Sequence, residues 1–101
     1  MKLVRDKIPQ IIESTGRAPA FRMAHGTDEI IALLKGKMVE EVEELIENPC
    51  VEEAADVFEV FREFCIRYDI LVEDVIYKAT HKRCERGGFS NGVVLIENDH
   101  G

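Results

Sequence analysis

The chain has 101 residues, 46% of them hydrophobic, which suits one folded domain with one core and excludes several large domains. Lys and Arg number 13 against 20 Asp and Glu, so the formal net charge of -7 disfavours binding to a nucleic-acid backbone. No segment reaches the roughly 20 apolar residues that a membrane span requires, so we expect no membrane partner.

The cysteines and the first residues bear on the cellular compartment. The chain has an odd number of cysteines and no CxxC motif, which argues against a disulfide framework or a zinc site. The cysteines are Cys50, Cys65 and Cys84. Residues 1–12 lack the long apolar run of a secretion signal. We therefore expect a cytoplasmic protein with reduced cysteines.

The first elements are short. Residues 3–14 predict a short helix with Asp6 as its N-cap. Three apolar residues share one face of it: Ile8, Ile11 and Ile12. Residues 20–24 alternate weakly and residues 93–96 are β-branched and apolar, so the two segments predict a small two-stranded antiparallel β ribbon.

Two long helices follow around a tight turn. The first begins at the N-cap Thr27 and runs to about Glu47. Its apolar stripe comprises Ile30, Ile31, Leu34, Met38, Val42 and Leu45. Asn48 ends this helix and Pro49 suits the first turn of the next one. The second helix carries an apolar face of Ala54, Val57, Phe58, Phe61, Phe64, Cys65 and Tyr68.

A third long helix is predicted from about Leu71 to Arg86, ending at Gly87, where a positive φ is easy. Three long helices and one short N-terminal helix predict an all-α antiparallel bundle, forming a single domain over residues 1–101. The apolar faces are too wide for one small copy to cover, so we expect a homo-oligomer. A dimer and a tetramer both remain open.

Four carboxylates are placed symmetrically about the turn. Glu41 and Glu44 precede it with ExxE spacing, and Glu53 and Asp56 follow it with ExxD spacing. Residues three apart share a helix face. In an antiparallel hairpin, Glu44 lies level with Glu53, and Glu41 lies level with Asp56. The spacing therefore predicts four carboxylates at one height.

Such a concentration of negative charge favours a bound cation, because two carboxylates 4 Å apart repel by about 4 kcal/mol at an effective dielectric near 20. Oxygen ligands without nearby His or Cys suit Mg²⁺, with Mn²⁺ as the alternative. The competing interpretation is a solvated helix face rich in good helix formers.

A basic row lies on the last helix. Lys78, Lys82 and Arg86 recur every four residues and so share one face. Lys and Arg bind phosphate oxygens and would offset the charge of a leaving pyrophosphate. Alternatively, these cations simply complement the dipole at the helix C-terminus.

The motifs "KMVEEVEEL", "EEAADVFEV" and "HKRCERGGF" together resemble the MazG and phosphoribosyl-ATP pyrophosphohydrolase superfamily of all-α NTP pyrophosphatases. The opening "KLVRDKIPQII" is similar to that of a small MazG-like branch, although no roles follow for Lys2, Arg5, Asp6 and Lys7. The resemblance spans nearly the whole chain.

This resemblance implies that the four carboxylates hold Mg²⁺ and that Lys82 and Arg86 contact the substrate's phosphates. It implies hydrolysis of an NTP or dNTP to the monophosphate and pyrophosphate, in a house-cleaning role. Our own hypothesis for the mechanism is that Glu41 or Glu44 orients the attacking water. Thr80 departs from the Asn often found there, which leaves base and sugar recognition open. The alternative function is a non-catalytic nucleotide-binding, metal-binding or helical oligomerisation module.

Overall fold

The computed structural model describes residues 1–96, and this part of the chain is all-helical. Its helices are α1 (Ile8–Ser14), α2 (Gly26–Glu47), α3 (Val51–Arg67) and α4 (Val72–Arg86). The predicted all-α class, with three long helices and a short N-terminal one, is confirmed. Within the described residues, no helix combines the length and apolarity needed to cross a bilayer.

The chain divides into two compact units, Met1–Ile70 and Leu71–Gly101. In the first unit α2 packs against α3. Residues 48–50 are too few to do more than reverse the chain, so the two helices form an antiparallel hairpin. The second unit contains α4. The prediction of a single domain over residues 1–101 stays a prediction.

The starts of α1 and α2 differ from the sequence-based expectation. Lys7, and not Asp6, is the N-cap of α1, because the Ile8 N–H already donates to the Arg5 carbonyl at 3.0 Å. His25, and not Thr27, is the N-cap of α2. The Glu29 carboxylate accepts from the His25 backbone N–H at 2.6 Å, which stabilises this earlier start.

The connections between the long helices follow the predicted breakers closely. Asn48 is the C-cap of α2, but Cys50 is the N-cap of α3, so Pro49 lies before the helix and outside its first turn. The predicted end of the last helix is confirmed, since α4 ends at Arg86 and Gly87 has a φ of 81°. That backbone conformation favours glycine.

The predicted β ribbon is wrong. Neither residues 20–24 nor residues 93–96 form a strand. A two-stranded ribbon is marginal in water unless it packs on a larger apolar face. Weak alternation and a short β-branched run were therefore insufficient to specify strands here.

The core of the first unit lies between α2 and α3. Among the described residues, Leu34 and Cys65 are the buried hydrophobic side chains. Several residues of the predicted apolar faces remain exposed, with exposed fractions of 38% at Val42, 50% at Phe58 and 47% at Tyr68. A helix pair covers only one side of each helix, so the flanks of a wide apolar face reach solvent.

Gly36 lies inside α2, where a helix-compatible side chain has room. A Cβ at this position would meet no heavy atom within 4 Å. We expect Gly36→Ala to raise the free energy of unfolding by about 0.5–1 kcal/mol, because alanine loses less backbone entropy in a helix. Urea unfolding of both proteins measures this. A loss of stability would contradict the open surroundings of this position.

The ion pair between Arg22 and Glu29, next to the start of α2, should make the stability of the fold sensitive to acid. Arg22 donates through Nη1 and Nη2 to the two Glu29 carboxylate oxygens, at 2.9 and 2.7 Å. The Arg22 side chain and then the His25 backbone N–H lower the pKa of Glu29 from 4.5 to about 2. Because the folded pKa is the lower one, this stabilisation is present above pH 4.5 and lost as the pH falls towards 2.

Glu29→Gln should therefore lower the melting temperature at neutral pH, and the difference from wild type should shrink below pH 4.5. Thermal unfolding monitored by circular dichroism at a series of pH values measures this. Asp28→Asn is the matched control, since Asp28 is an exposed acid in the same helical turn. An equal difference at pH 7 and pH 3 would contradict the assignment.

Candidate functional site

Three of the four predicted carboxylates meet on the α2–α3 hairpin. Glu41 of α2 and Glu53 and Asp56 of α3 each offer one oxygen, and these oxygens lie within 4.8 Å of one another. We call these three residues the carboxylate cluster. The two helices run antiparallel from a short turn, which brings residues equally distant from that turn to the same height. The cluster therefore follows directly from the hairpin.

Glu41 is the buried member, with 6% of its surface exposed. Its Oε1 lies 3.1 Å from the Lys37 Nζ, one helical turn earlier on α2. Its Oε2 is buried and has no hydrogen-bond partner among residues 1–96. A buried carboxylate oxygen without a partner is costly, so Lys37 compensates one half of this carboxylate and the other half is left uncompensated.

Glu53 is half-buried, and its Oε2 is also buried without a hydrogen-bond partner in the described part of the chain. Burial raises the pKa of Glu53 above its ordinary value, and repulsion from Glu44, Asp56 and Glu41 raises it further. Within residues 1–96 it forms no ion pair. The folded chain thus holds Glu53 where its negative charge is disfavoured unless a cation joins it.

Glu44, the fourth predicted ligand, is placed differently. It is exposed and lies outside the group of three. Its carboxylate is nevertheless close enough to Glu53 to raise the pKa of that residue. Glu44 and Glu53 also line a shallow depression together with Glu47 and Asn48. Glu44 therefore lies at the rim of the cluster.

Asp56 is held by the N-terminal segment of the chain. The Arg5 Nη2 donates to the Asp56 Oδ1 at 2.6 Å. Sequence reasoning gave no role to Arg5 or to Lys37. The spacing of Lys37 four residues before Glu41 would have indicated its partner. The Arg5 contact joins residues 51 positions apart, and no local pattern predicts it.

The cluster is chemically suited to a hard divalent cation. Its donors are carboxylate oxygens, which Mg²⁺ and Mn²⁺ prefer. Acidic side chains on helices often lie together without a metal. This cluster is distinguished by a buried glutamate and by two buried oxygens, Glu41 Oε2 and Glu53 Oε2, that no donor of the described residues satisfies. In donor chemistry these residues fit Mg²⁺.

The predicted phosphate ligands lie in the second unit. Lys78, Lys82 and Arg86 are on α4 and exposed. Their spacing places them along one face of that helix. Of the ion pairs formed in residues 1–96, none involves these three side chains.

Comparison of the chain with models of protein families, with curated protein sequences and with solved structures found no match. The carboxylate geometry and the motif resemblance are therefore the observations that bear on function.

Proposed function

We propose that this protein is a Mg²⁺-dependent nucleoside triphosphate pyrophosphohydrolase of the MazG-like type. It would hydrolyse the α,β-phosphoanhydride of an NTP or dNTP and release the monophosphate and pyrophosphate, in a house-cleaning role. The observation that carries the proposal is the buried Glu41, whose Oε2 has no hydrogen-bond partner within residues 1–96 and which offers an oxygen within 4.8 Å of oxygens of Glu53 and Asp56. Mn²⁺ is the alternative cofactor.

We assign different roles to the three residues of the carboxylate cluster and to the exposed Glu44. Glu41, Glu53 and Asp56 would hold the cation. When bound, Mg²⁺ would neutralise carboxylate and phosphate charge and make a bound water more acidic. Glu44 is exposed at the rim beside Glu53, and we assign it to orient the attacking water.

Cationic side chains are needed because the carboxylates alone would repel a triphosphate. Lys78, Lys82 and Arg86 stay our predicted phosphate ligands, since all three are exposed and share one face of α4. We expect single replacements of these residues by Gln to raise KM for the triphosphate, because each removes a charge that would bind phosphate. Lys35→Gln is the control, since Lys35 is an exposed lysine of α2.

Self-association is part of the proposal. Large apolar side chains are exposed on α2, including Val39 at 62% and Ile46 at 71%, and on α3, where Phe58 is 50% exposed. Exposed apolar surface of this kind favours association between copies of a small chain. Light scattering of the purified protein would distinguish a monomer, a dimer and a tetramer.

One observation favours a non-catalytic module. Arg5 and Lys37 already pair with Asp56 and Glu41, so a structural network of charges could hold α2, α3 and the N-terminal segment together without a metal. This alternative leaves the Glu53 carboxylate without a counter-ion from residues 1–96, and for that reason we rank it second.

The experiment that tests the proposal is product analysis with a panel of canonical and modified NTPs and dNTPs. We expect pyrophosphate and the matching monophosphate with Mg²⁺, and neither with EDTA. Glu44→Gln should lose activity and stay folded. Glu43→Gln is the matched control, because Glu43 is exposed on α2 and forms no ion pair within residues 1–96. Folded protein without turnover on any nucleotide would contradict the proposal.

A further inference from the structure

The N-terminal segment, residues 1–7, holds basic residues that the proposed function does not use. Lys2 lies 3.6 Å from the Glu40 Oε1, which is outside the carboxylate cluster. Arg5 instead reaches the cluster itself through the 2.6 Å bond to Asp56. These two cations of one segment thus have different surroundings.

The backbone of Arg5 is held in a local turn. The Ile8 N–H donates to the Arg5 carbonyl at 3.0 Å, in the turn that leads into α1. The side chain is then oriented by Asp56, whose own side chain is 34% exposed. Arg5 is therefore held at both its backbone and its guanidinium group.

The guanidinium of Arg5 still has donors to offer. An arginine carries five N–H donors, and one nitrogen of Arg5 bonds to Asp56. The side chain is 57% exposed, and within residues 1–96 it makes no other hydrogen bond. By contrast, Lys37 is 17% exposed and is directed at Glu41 and Glu40. Of the two cations paired with the cluster in the described chain, Arg5 is the one that solvent and solutes can reach.

We propose that Arg5 is a phosphate-binding residue of the carboxylate cluster, held there by Asp56. Its remaining N–H groups would donate to the phosphate chain of a nucleoside triphosphate bound at the cluster. This inference rests on the proposed function. A polyphosphate approaching several carboxylates needs a cation beside them, and the planar arginine fork matches phosphate oxygens better than a lysine does.

A purely structural role predicts a different result. If Arg5 served only to orient Asp56 as a metal ligand, its loss would weaken binding of the metal itself. If Arg5 binds phosphate, its loss weakens binding of the nucleotide and leaves the metal affinity intact. Measuring the two affinities separately therefore distinguishes these roles.

The test uses the full chain and isothermal titration with two probes: Mn²⁺ alone, and a non-hydrolysable α,β-imido deoxynucleoside triphosphate in saturating Mn²⁺. For Arg5→Gln we expect the affinity for the analogue to fall by about tenfold or more, which is the effect of losing a charge-assisted hydrogen bond. Mn²⁺ should bind as tightly as to wild type, or more tightly because a competing cation is gone. Lys2→Gln is the control with the same charge change and should bind both probes as wild type does.

Each other outcome overturns the inference. Unchanged analogue affinity in Arg5→Gln would show that Arg5 does not bind phosphate, and a parallel loss of Mn²⁺ affinity would show a positioning role. Both outcomes leave the proposed function standing, whereas a wild-type protein that binds no Mn²⁺ would overturn both proposals. Should Arg5→Gln fail to fold, Arg5→Lys keeps the charge and loses the fork, and it should still lose analogue affinity.

Discussion

Replacing Glu53 by Gln is expected to lower metal-dependent pyrophosphate release by about 100-fold or more, since even residues behind a metal ligand contribute 10- to 100-fold. The same change should raise the melting temperature of the metal-free protein. Without a metal, Glu53 is half-buried beside Glu44, Asp56 and Glu41, and its Oε2 has no hydrogen-bond partner within residues 1–96. A neutral amide of the same shape removes this repulsion and can donate to the neighbouring carboxylates.

The pH dependence of stability follows from the same residue. The folded pKa of Glu53 is raised, so its protonation favours the folded state. Its contribution is fully present below the unfolded pKa and is lost as the pH rises through the folded pKa. In metal-free Glu53→Gln this part of the pH dependence should disappear.

Glu52→Gln is the matched control for Glu53→Gln. Glu52 is in the same first turn of α3, is exposed and lies outside the cluster. Activity assays and thermal unfolding with EDTA and with Mg²⁺ measure the effects. Retained activity in Glu53→Gln would contradict the assignment of Glu53 as a metal ligand. A lower melting temperature of the metal-free variant would contradict the repulsion between Glu53 and its neighbouring carboxylates.

Removal of the Lys37 ammonium should strongly destabilise the metal-free protein. Lys37→Met keeps the length of the side chain and leaves Glu41, which is 6% exposed, without its cation. Breaking a fully buried pair in this way costs roughly 3–5 kcal/mol. Because Lys37 keeps some exposure, we expect about 2 kcal/mol, measured by urea unfolding in EDTA.

Added Mg²⁺ should restore much of the stability of Lys37→Met, because the cation replaces the missing charge beside Glu41. Lys35→Met is the control, since Lys35 is exposed on α2 and forms no ion pair within residues 1–96. Equal losses in the two variants would mean that Lys37 does not compensate Glu41. Failure of Mg²⁺ to stabilise Lys37→Met would argue against a metal at the cluster.

The parts of the molecule that could be predicted are those specified by local patterns. The helical periodicity of residues 27–47 and the breaker pair Asn48-Pro49 are enough to predict a helix hairpin. Once the hairpin is given, the spacing of Glu41, Glu53 and Asp56 from the turn brings their oxygens within 4.8 Å. Glu44 follows the same spacing but remains exposed, because side-chain burial also depends on rotation about the helix axis.

The features that sequence reasoning missed depend on contacts or on competing caps. The ion pair of Arg5 with Asp56 joins a segment without regular structure to a helix far along the chain, and no periodicity encodes it. Asp6 and Thr27 are good capping residues, yet neither is the N-cap of its helix. A backbone turn places the start of α1 later than Asp6 predicts, and the Glu29 carboxylate stabilises a start of α2 earlier than Thr27 predicts. The β ribbon failed because two short runs do not supply a sheet.

The most direct test of a metal centre at the cluster is a titration of Mn²⁺ into the metal-free protein, followed by electron paramagnetic resonance of the free ion. We predict saturable binding to wild type and to Glu52→Gln, and loss of that binding in Glu53→Gln. Equal binding to all three proteins, or no saturable binding to wild type, would contradict the assignment of Glu41, Glu53 and Asp56 as metal ligands.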